Sequence, residues 1–186
     1  PAPILLLQPT LTMAQSFSRE RLSPMLRDTP ILRGKVKDPR SRDSGNTTLQ
    51  KIFPGGAISL AGSNSPASLA SRPIRVVLAD ELDRFAQNAG SEGSPFALAQ
   101  RRTQTFHNRK LVQTSTPTIK GASPIAAAYE ESDQRRYYVP CQFCDEYHDL
   151  KWSQVRWPEL RPELAVYVCE GCGSAWDDAM RLRAIR

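Results

Sequence analysis

No stretch of this chain reaches the roughly 18 consecutive apolar residues that a membrane-spanning helix requires, so no membrane partner is expected from it. The opening Pro1-Ala2-Pro3-Ile4-Leu5-Leu6-Leu7 is apolar but has neither a basic leader nor a small-residue cleavage site, and it reads as a strand, not a secretory signal. Cysteine is confined to four residues in two close pairs, which fits an intracellular metal site better than the disulfide framework of a secreted domain. Also lacking is any Gly-x-x-x-x-Gly-Lys-[Ser/Thr] phosphate loop: Arg33-Gly34-Lys35-Val36 has neither the spacing nor the preceding strand. What is present is ordinary in bulk. With 186 residues and 40% hydrophobic content, the chain can form one medium α/β core plus a small appendage. A start on proline and a helical-looking finish over residues 178–186 read as a piece of something longer.

The most informative run is Arg75-Val76-Val77-Leu78-Ala79-Asp80-Glu81, an apolar strand ending in two carboxylates. This is the Walker B arrangement of nucleotide-hydrolysing motors, in which the first acid orients magnesium and the second polarises the attacking water. Asp80 and Glu81 are the candidates for these roles; a buried strand running into an acidic turn is the plainer alternative. A second apolar run, Lys110-Leu111-Val112-Gln113, breaks into Thr114-Ser115-Thr116-Pro117. In a parallel sheet both tips lie at the carboxyl edge, where open α/β folds bind ligands. Turn chemistry alone is the competing account of the three hydroxyls.

The formal charge of +6 and a pI near 9.4 favour an anionic partner, nucleic acid first. The basic residues fall in residues 33–42, 101–110 and 181–186, and solvated loops and helix faces would account for them equally well. Along the chain, residues 4–7 form a strand and Thr10 can cap a helix carrying Leu11, Ala14, Phe17, Leu22 and Met25. Pro24 interrupts that helix, with Ser23 as the cap of a new short turn. Residues 33–46 read as loop, and residues 47–53 and 57–61 as a hairpin around Pro54-Gly55-Gly56. Ser94-Pro95 and Ser123-Pro124 begin helices over residues 96–107 and 125–132. Strands alternating with helices indicate a parallel sheet.

Composition shifts near residue 136, after which come all four cysteines, all three tryptophans and strand-like fragments at 137–139, 150–152 and 165–168. Cys141-Gln142-Phe143-Cys144 and Cys169-Glu170-Gly171-Cys172 are separated by 24 residues. Two-residue spacing lets both thiolates of a turn face one ion, and four thiolates leave a zinc ion no open position, so its role would be structural. A redox pair and an iron-bearing rubredoxin-like site are the alternatives. His148 can replace a cysteine or sit on the hairpin surface, and His107 reads as a surface residue. Trp152, Trp157 and Trp176 either stack on bases or cover the ribbon's own small sheet.

Together these residues resemble the large terminase subunit of tailed phages, of the lambda gpA-like type. The likeness runs over Gln8-Pro9-Thr10, residues 19–30, Gly62-Ser63-Asn64-Ser65 with Leu69-Ala70-Ser71-Arg72, Leu78-Ala79-Asp80-Glu81-Leu82-Asp83-Arg84-Phe85, Thr114-Ser115-Thr116-Pro117 and the paired cysteines. The resemblance implies a RecA-like P-loop NTPase sheet of α/β class, incomplete because the phosphate-loop part is missing, over residues 1–136. A small four-cysteine zinc ribbon would follow over 137–178, held by Cys141, Cys144, Cys169 and Cys172, and residues 179–186 would begin a linker or helix towards a nuclease. It further implies an ATP-driven motor that packages double-stranded DNA into procapsids and is coupled to an endonuclease, working in the bacterial host cytoplasm. Small terminase subunit, portal and a homo-oligomeric ring would be its partners, and ATP, Mg2+ and Zn2+ its ligands. Asp80 would be the magnesium carboxylate, Glu81 the catalytic one, Thr114, Ser115 and Thr116 the γ-phosphate sensor, and Arg72 a charge-stabilising arginine or a plain surface cation. A fragment of this extent would be inactive alone. The alternative is a zinc-ribbon nucleic-acid-binding or assembly module on an ATPase-like domain that holds no nucleotide.

Overall fold

The continuous apolar run near the start forms the middle strand of a five-stranded sheet, because leucines at successive positions can be buried only where both faces are covered. In the computed structural model, which describes residues 2–36, 45–65 and 72–185, this strand is β1 (Pro3–Gln8). It is joined by β2 (Gln50–Phe53), β3 (Gly56–Gly62), β4 (Val76–Asp80) and β5 (Lys110–Thr114) in the order β2-β3-β1-β4-β5. Strands β3, β1, β4 and β5 are parallel, and β2 pairs antiparallel with β3 through the expected hairpin. Gly55 takes φ +79° in that turn, a left-handed conformation that glycine adopts without steric cost.

Alternate residues supply the two faces. Leu5, Leu7, Val77 and Ala61 pack with Ile74, Ala89, Leu98 and Ala99 on one side; Leu6 and Leu60 pack with Ala14 and Leu22 on the other. The second face is covered by α1 (Leu11–Phe17) and α2 (Ser23–Asp28), and α3 (Pro95–Arg101) lies against the first. Thr10 caps α1 as its sequence suggests, accepting from the Met13 amide at 3.1 Å. Ser94 caps α3 and Ser123 caps α4 (Pro124–Glu130) in the same way.

Several local expectations are corrected. No break separates α1 from α2: a π turn, Ser18–Leu22, joins them. Pro24 has no N–H and its ring crowds the carbonyl four residues back, and the wider π register accommodates both. Ser23 is therefore inside the helix, and its hydroxyl donates back to the Ser18 carbonyl at 2.8 Å instead of capping. Helix α3 ends at Arg101, six residues before His107, in a run of turns that includes the fully buried Thr103. The loop expected over 33–46 and the segment Leu69-Ala70-Ser71 fall partly or wholly outside the described residues.

The chain divides into two units, Pro1–Glu130 and Glu131–Arg186. In the second, β6 (Tyr138–Pro140) pairs with β7 (Tyr147–Asp149), and β8 (Val155–Arg156), β9 (Val166–Val168) and β10 (Ala175–Trp176) form a three-stranded sheet in the order β10-β9-β8. The strand expected at 150–152 is instead the approach to a 3-10 turn, Trp152–Gln154. Val139, Cys141, Tyr167, Cys169 and Trp176 form this unit's core, and Met180 and Ala184 of α5 (Asp178–Ile185) pack against it. Among the described residues no helix is long and apolar enough to cross a membrane.

Candidate functional site

At the carboxyl edge of the five-stranded sheet, register places Asp80 of β4 opposite Thr114 of β5, and the Leu7–Ala79 pairing brings Gln8 of β1 alongside. The Asp80 carboxylate is held from both neighbouring strands. Gln8 Nε2 donates to its Oδ2 at 2.9 Å, and Thr114 Oγ1 donates to its Oδ1 at 2.9 Å. Gln8 is buried, so its amide is committed to this bond and is a site residue that residue-type reasoning passed over. The signal was there: a polar side chain directly following three buried leucines must find a partner. Beside it, the buried Ser63 accepts from the Ala86 amide and donates to the Pro9 carbonyl, which ties β3 to the segment after β4. Gly62 makes this closeness possible, since a Cβ there would stand 2.4 Å from the Leu11 nitrogen.

Glu81 follows in the left-handed region at φ +58°, uncommon for a residue with a Cβ. It opens a 3-10 turn, Leu82–Arg84, and its carboxylate pairs with Arg84 at 3.1 Å. Holding a non-glycine residue there costs about 1–3 kcal/mol and persists only where the surroundings over-determine it. They do. Asp83, two residues on, donates its amide to Ser115 Oγ at 3.0 Å. Its carboxylate accepts from the Thr118 amide and hydroxyl at 2.9 and 3.1 Å and from the Ile125 amide at 2.9 Å. Burial works against ionisation of Asp83, but the Ser123 hydroxyl, the Ile125 and Thr118 amides and the Thr118 hydroxyl outweigh it and hold the carboxyl below its usual range. Asp80, Glu81, Thr114 and Ser115 are thus brought together. Thr116 lies exposed next to them and lends its carbonyl to the Ser115 hydroxyl. Arg72 is exposed and precedes β4, at the end of that strand remote from Asp80.

In the second unit the sulfurs of Cys141, Cys144, Cys169 and Cys172 all lie within 4.8 Å of one another, and all four cysteines are free. Cys141–Cys172 and Cys144–Cys169 are each separated by 3.8 Å. A tetrahedral ion with metal–sulfur bonds of about 2.3 Å has sulfur–sulfur edges of about 3.8 Å, so the donors fit zinc. The Phe143 and Cys172 amides donate to the sulfurs of Cys141 and Cys169. Burial opposes the Cys141 thiolate, but the Phe143 and Cys144 amides and the Ser174 hydroxyl draw its pKa down to about 6. The Glu146 amide favours the Cys144 thiolate, yet burial and the three neighbouring thiols push it up to about 12.

Of the two readings of His148, the one on the hairpin surface is corrected. It is buried on β7 opposite Val139, packs edge-on against Trp176, and places Nε2 3.2 Å from Cys169 Sγ. Strand alternation decides this: the residue paired with inward-facing Val139 also faces inward. Of the tryptophans, Trp176 is core, whereas Trp152 and Trp157 are exposed and lean on each other at 6.1 Å between ring centroids.

The family model described as "Phage terminase large subunit gpA, ATPase domain" matches residues 1–186. The chain is 32% identical to the terminase large subunit of Enterobacteria phage P21 over 178 residues, 90% of this chain and 28% of that protein. It is 28% identical to the terminase large subunit of Escherichia phage lambda over 170 residues, 87% of this chain and 26% of that protein. It therefore spans about a quarter of the length of these curated relatives. The solved ATPase domain of the Thermus phage P74-26 large terminase aligns with 63% of this chain and 49% of its own, at 12% identity and a TM-score of 0.40. By its match along the whole sequence, the chain belongs to the family of the phage terminase large subunit gpA, ATPase domain.

Proposed function

We propose that this chain is the nucleotide-hydrolysing part of a terminase large subunit, an ATP-driven motor that moves double-stranded DNA into procapsids. The observation that carries this is the convergence of Asp80, Glu81, Thr114 and Ser115 on one sheet edge, with Asp80 fixed by donors from both flanking strands. Magnesium bound with ATP would neutralise charge developing on the phosphates. Asp80, a hard carboxylate donor at an open strand tip, is the residue that would hold it. Glu81 orients and polarises the attacking water. Thr114, Ser115 and Thr116 report the state of the γ-phosphate, because two of the three hydroxyls already touch the segment that bears the carboxylates.

The four cysteines hold a structural zinc, for which their spacing and mutual distances are suited. In the intact subunit the motor would act in the host cytoplasm as a ring of copies, with the small subunit and portal as partners and an endonuclease coupled to it. The test is Glu81→Gln in the intact large subunit. ATP turnover should fall to background while nucleotide binding stays near the wild-type value, because Asp80 and its supports are untouched. A Glu81→Gln protein that hydrolyses ATP normally rejects the assignment. An intact protein that binds no nucleotide favours instead a zinc-ribbon binding or assembly module.

A further inference from the structure

The contacts of Asp83 join three separate stretches of chain. Its backbone belongs to the turn that begins at Glu81, its amide bonds Ser115 in the loop after β5, and its carboxylate receives Thr118 from that loop and Ile125 from the first turn of α4. Ser123 accepts the Ala126 amide, so the first turn of α4 is capped at Ser123 and held to Asp83 through Ile125. Asp80 takes no part in this. It has its own supports in Gln8 and Thr114. The two neighbouring acids of the strand tip therefore rest on different foundations: Asp80 on the sheet, and Glu81 on a turn tied to the β5–α4 segment.

We propose that Asp83 is a positioning residue that fixes the left-handed turn at Glu81 to the β5–α4 segment and so aims the Glu81 carboxylate. The proposal rests on the hydrolytic role given to Glu81 above. Among the described residues the polar partner of the Glu81 carboxylate is the exposed Arg84, which cannot set its direction across the site. Movement of the 115–125 segment is then transmitted to the water-polarising carboxylate but not to the metal-holding one. Turnover can be switched by that segment while nucleotide remains bound.

In the intact large subunit, Asp83→Ala is expected to lower kcat for ATP by about 10- to 100-fold, the range that a misplacement near 1 Å commonly produces. KM should stay within about threefold of wild type. The Thr118 and Ile125 amides should exchange hydrogen faster, since each loses its acceptor. Asp83→Asn, which retains one acceptor oxygen, should recover part of kcat and also serves if the alanine variant does not fold. A purely structural role would lower thermal stability without separating kcat from KM. Wild-type kcat in Asp83→Ala, with Glu81→Gln inactive, overturns the proposal and leaves the hydrolytic role standing; unchanged exchange at Thr118 and Ile125 overturns it as well. Normal turnover by Glu81→Gln removes both.

Discussion

Glu81 sets a backbone cost against the hydrolytic role proposed for it. Its positive φ puts Cβ close to its own carbonyl oxygen, at a cost of roughly 1–2 kcal/mol for an L-residue. The Arg84 ion pair returns little, because both side chains are substantially exposed and such pairs are worth about 0–1 kcal/mol. A residue chosen for stability at this position would be glycine. Glu81→Gly should therefore stabilise the chain by about 1 kcal/mol, raising Tm by roughly 3 °C, while abolishing turnover in the intact subunit. A Tm equal to or below that of wild type would show that the turn carries no strain.

Among the elements, the strands of the second unit are the weakest by themselves, since β6 to β10 are only two or three residues long. Isolated pairings of that length do not persist in water. Two of the five core residues, Cys141 and Cys169, are also members of the thiol cluster, so the core and the proposed metal centre are one object. Metal binding of about 10–16 kcal/mol is ample for such a unit. If these thiols hold the proposed zinc, a chelator, or Cys169→Ser, should unfold the second unit, with a red shift of tryptophan emission as Trp176 meets water. Amides of β1 and β4 should keep their exchange protection. Loss of both units together, or indifference to chelation, would contradict this.

These same elements show what could be read from the residues. The apolar strands of the first sheet, the hairpin, the caps at Thr10, Ser94 and Ser123 and the two carboxylates at a strand tip follow from periodicity and turn chemistry, which act within a few residues. The leucine run signals that Gln8 needs a partner, but that the partner is Asp80, and that His148 faces inward with Val139, depends on what lies across a strand, which no local pattern reports. The π turn escaped for a related reason: Pro24 ordinarily ends a helix, and the burial of Ala14 and Leu22 with Leu6 and Leu60 of the sheet, which accompanies its continuation, is not a local feature. Asp83 was legible as one acid of a motif, but its bonds to Thr118 and Ile125 cross 35 and 42 residues.

Over the whole molecule the positive charge is not shared. The first unit holds 17 lysines and arginines against 9 acids, and the second 8 against 10, together the 25 and 19 of the chain. Pairing sharpens the contrast. In the second unit Arg135, Arg136, Lys151, Arg161 and Arg181 each face a carboxylate, whereas among the described residues the ion pairs of the first unit are Arg27–Asp28 and Arg84–Glu81. Four thiolates on a divalent ion would add further negative charge to the ribbon. A polyanion is thus attracted to the first unit, where residues 101–110 carry the exposed Arg101, Arg109 and Lys110. Each cation that neutralises a phosphate contributes about 0.9 to the slope of log affinity against log salt. If the intact subunit binds duplex DNA through this surface, reversing Arg109 and Lys110 to glutamate should weaken binding and lower that slope by about 2, while Arg156→Glu and Arg161→Glu in the ribbon should leave it unchanged. Equal effects from the two pairs, or a larger one from the ribbon pair, would assign the DNA to the second unit and reverse the division of labour that the charges indicate.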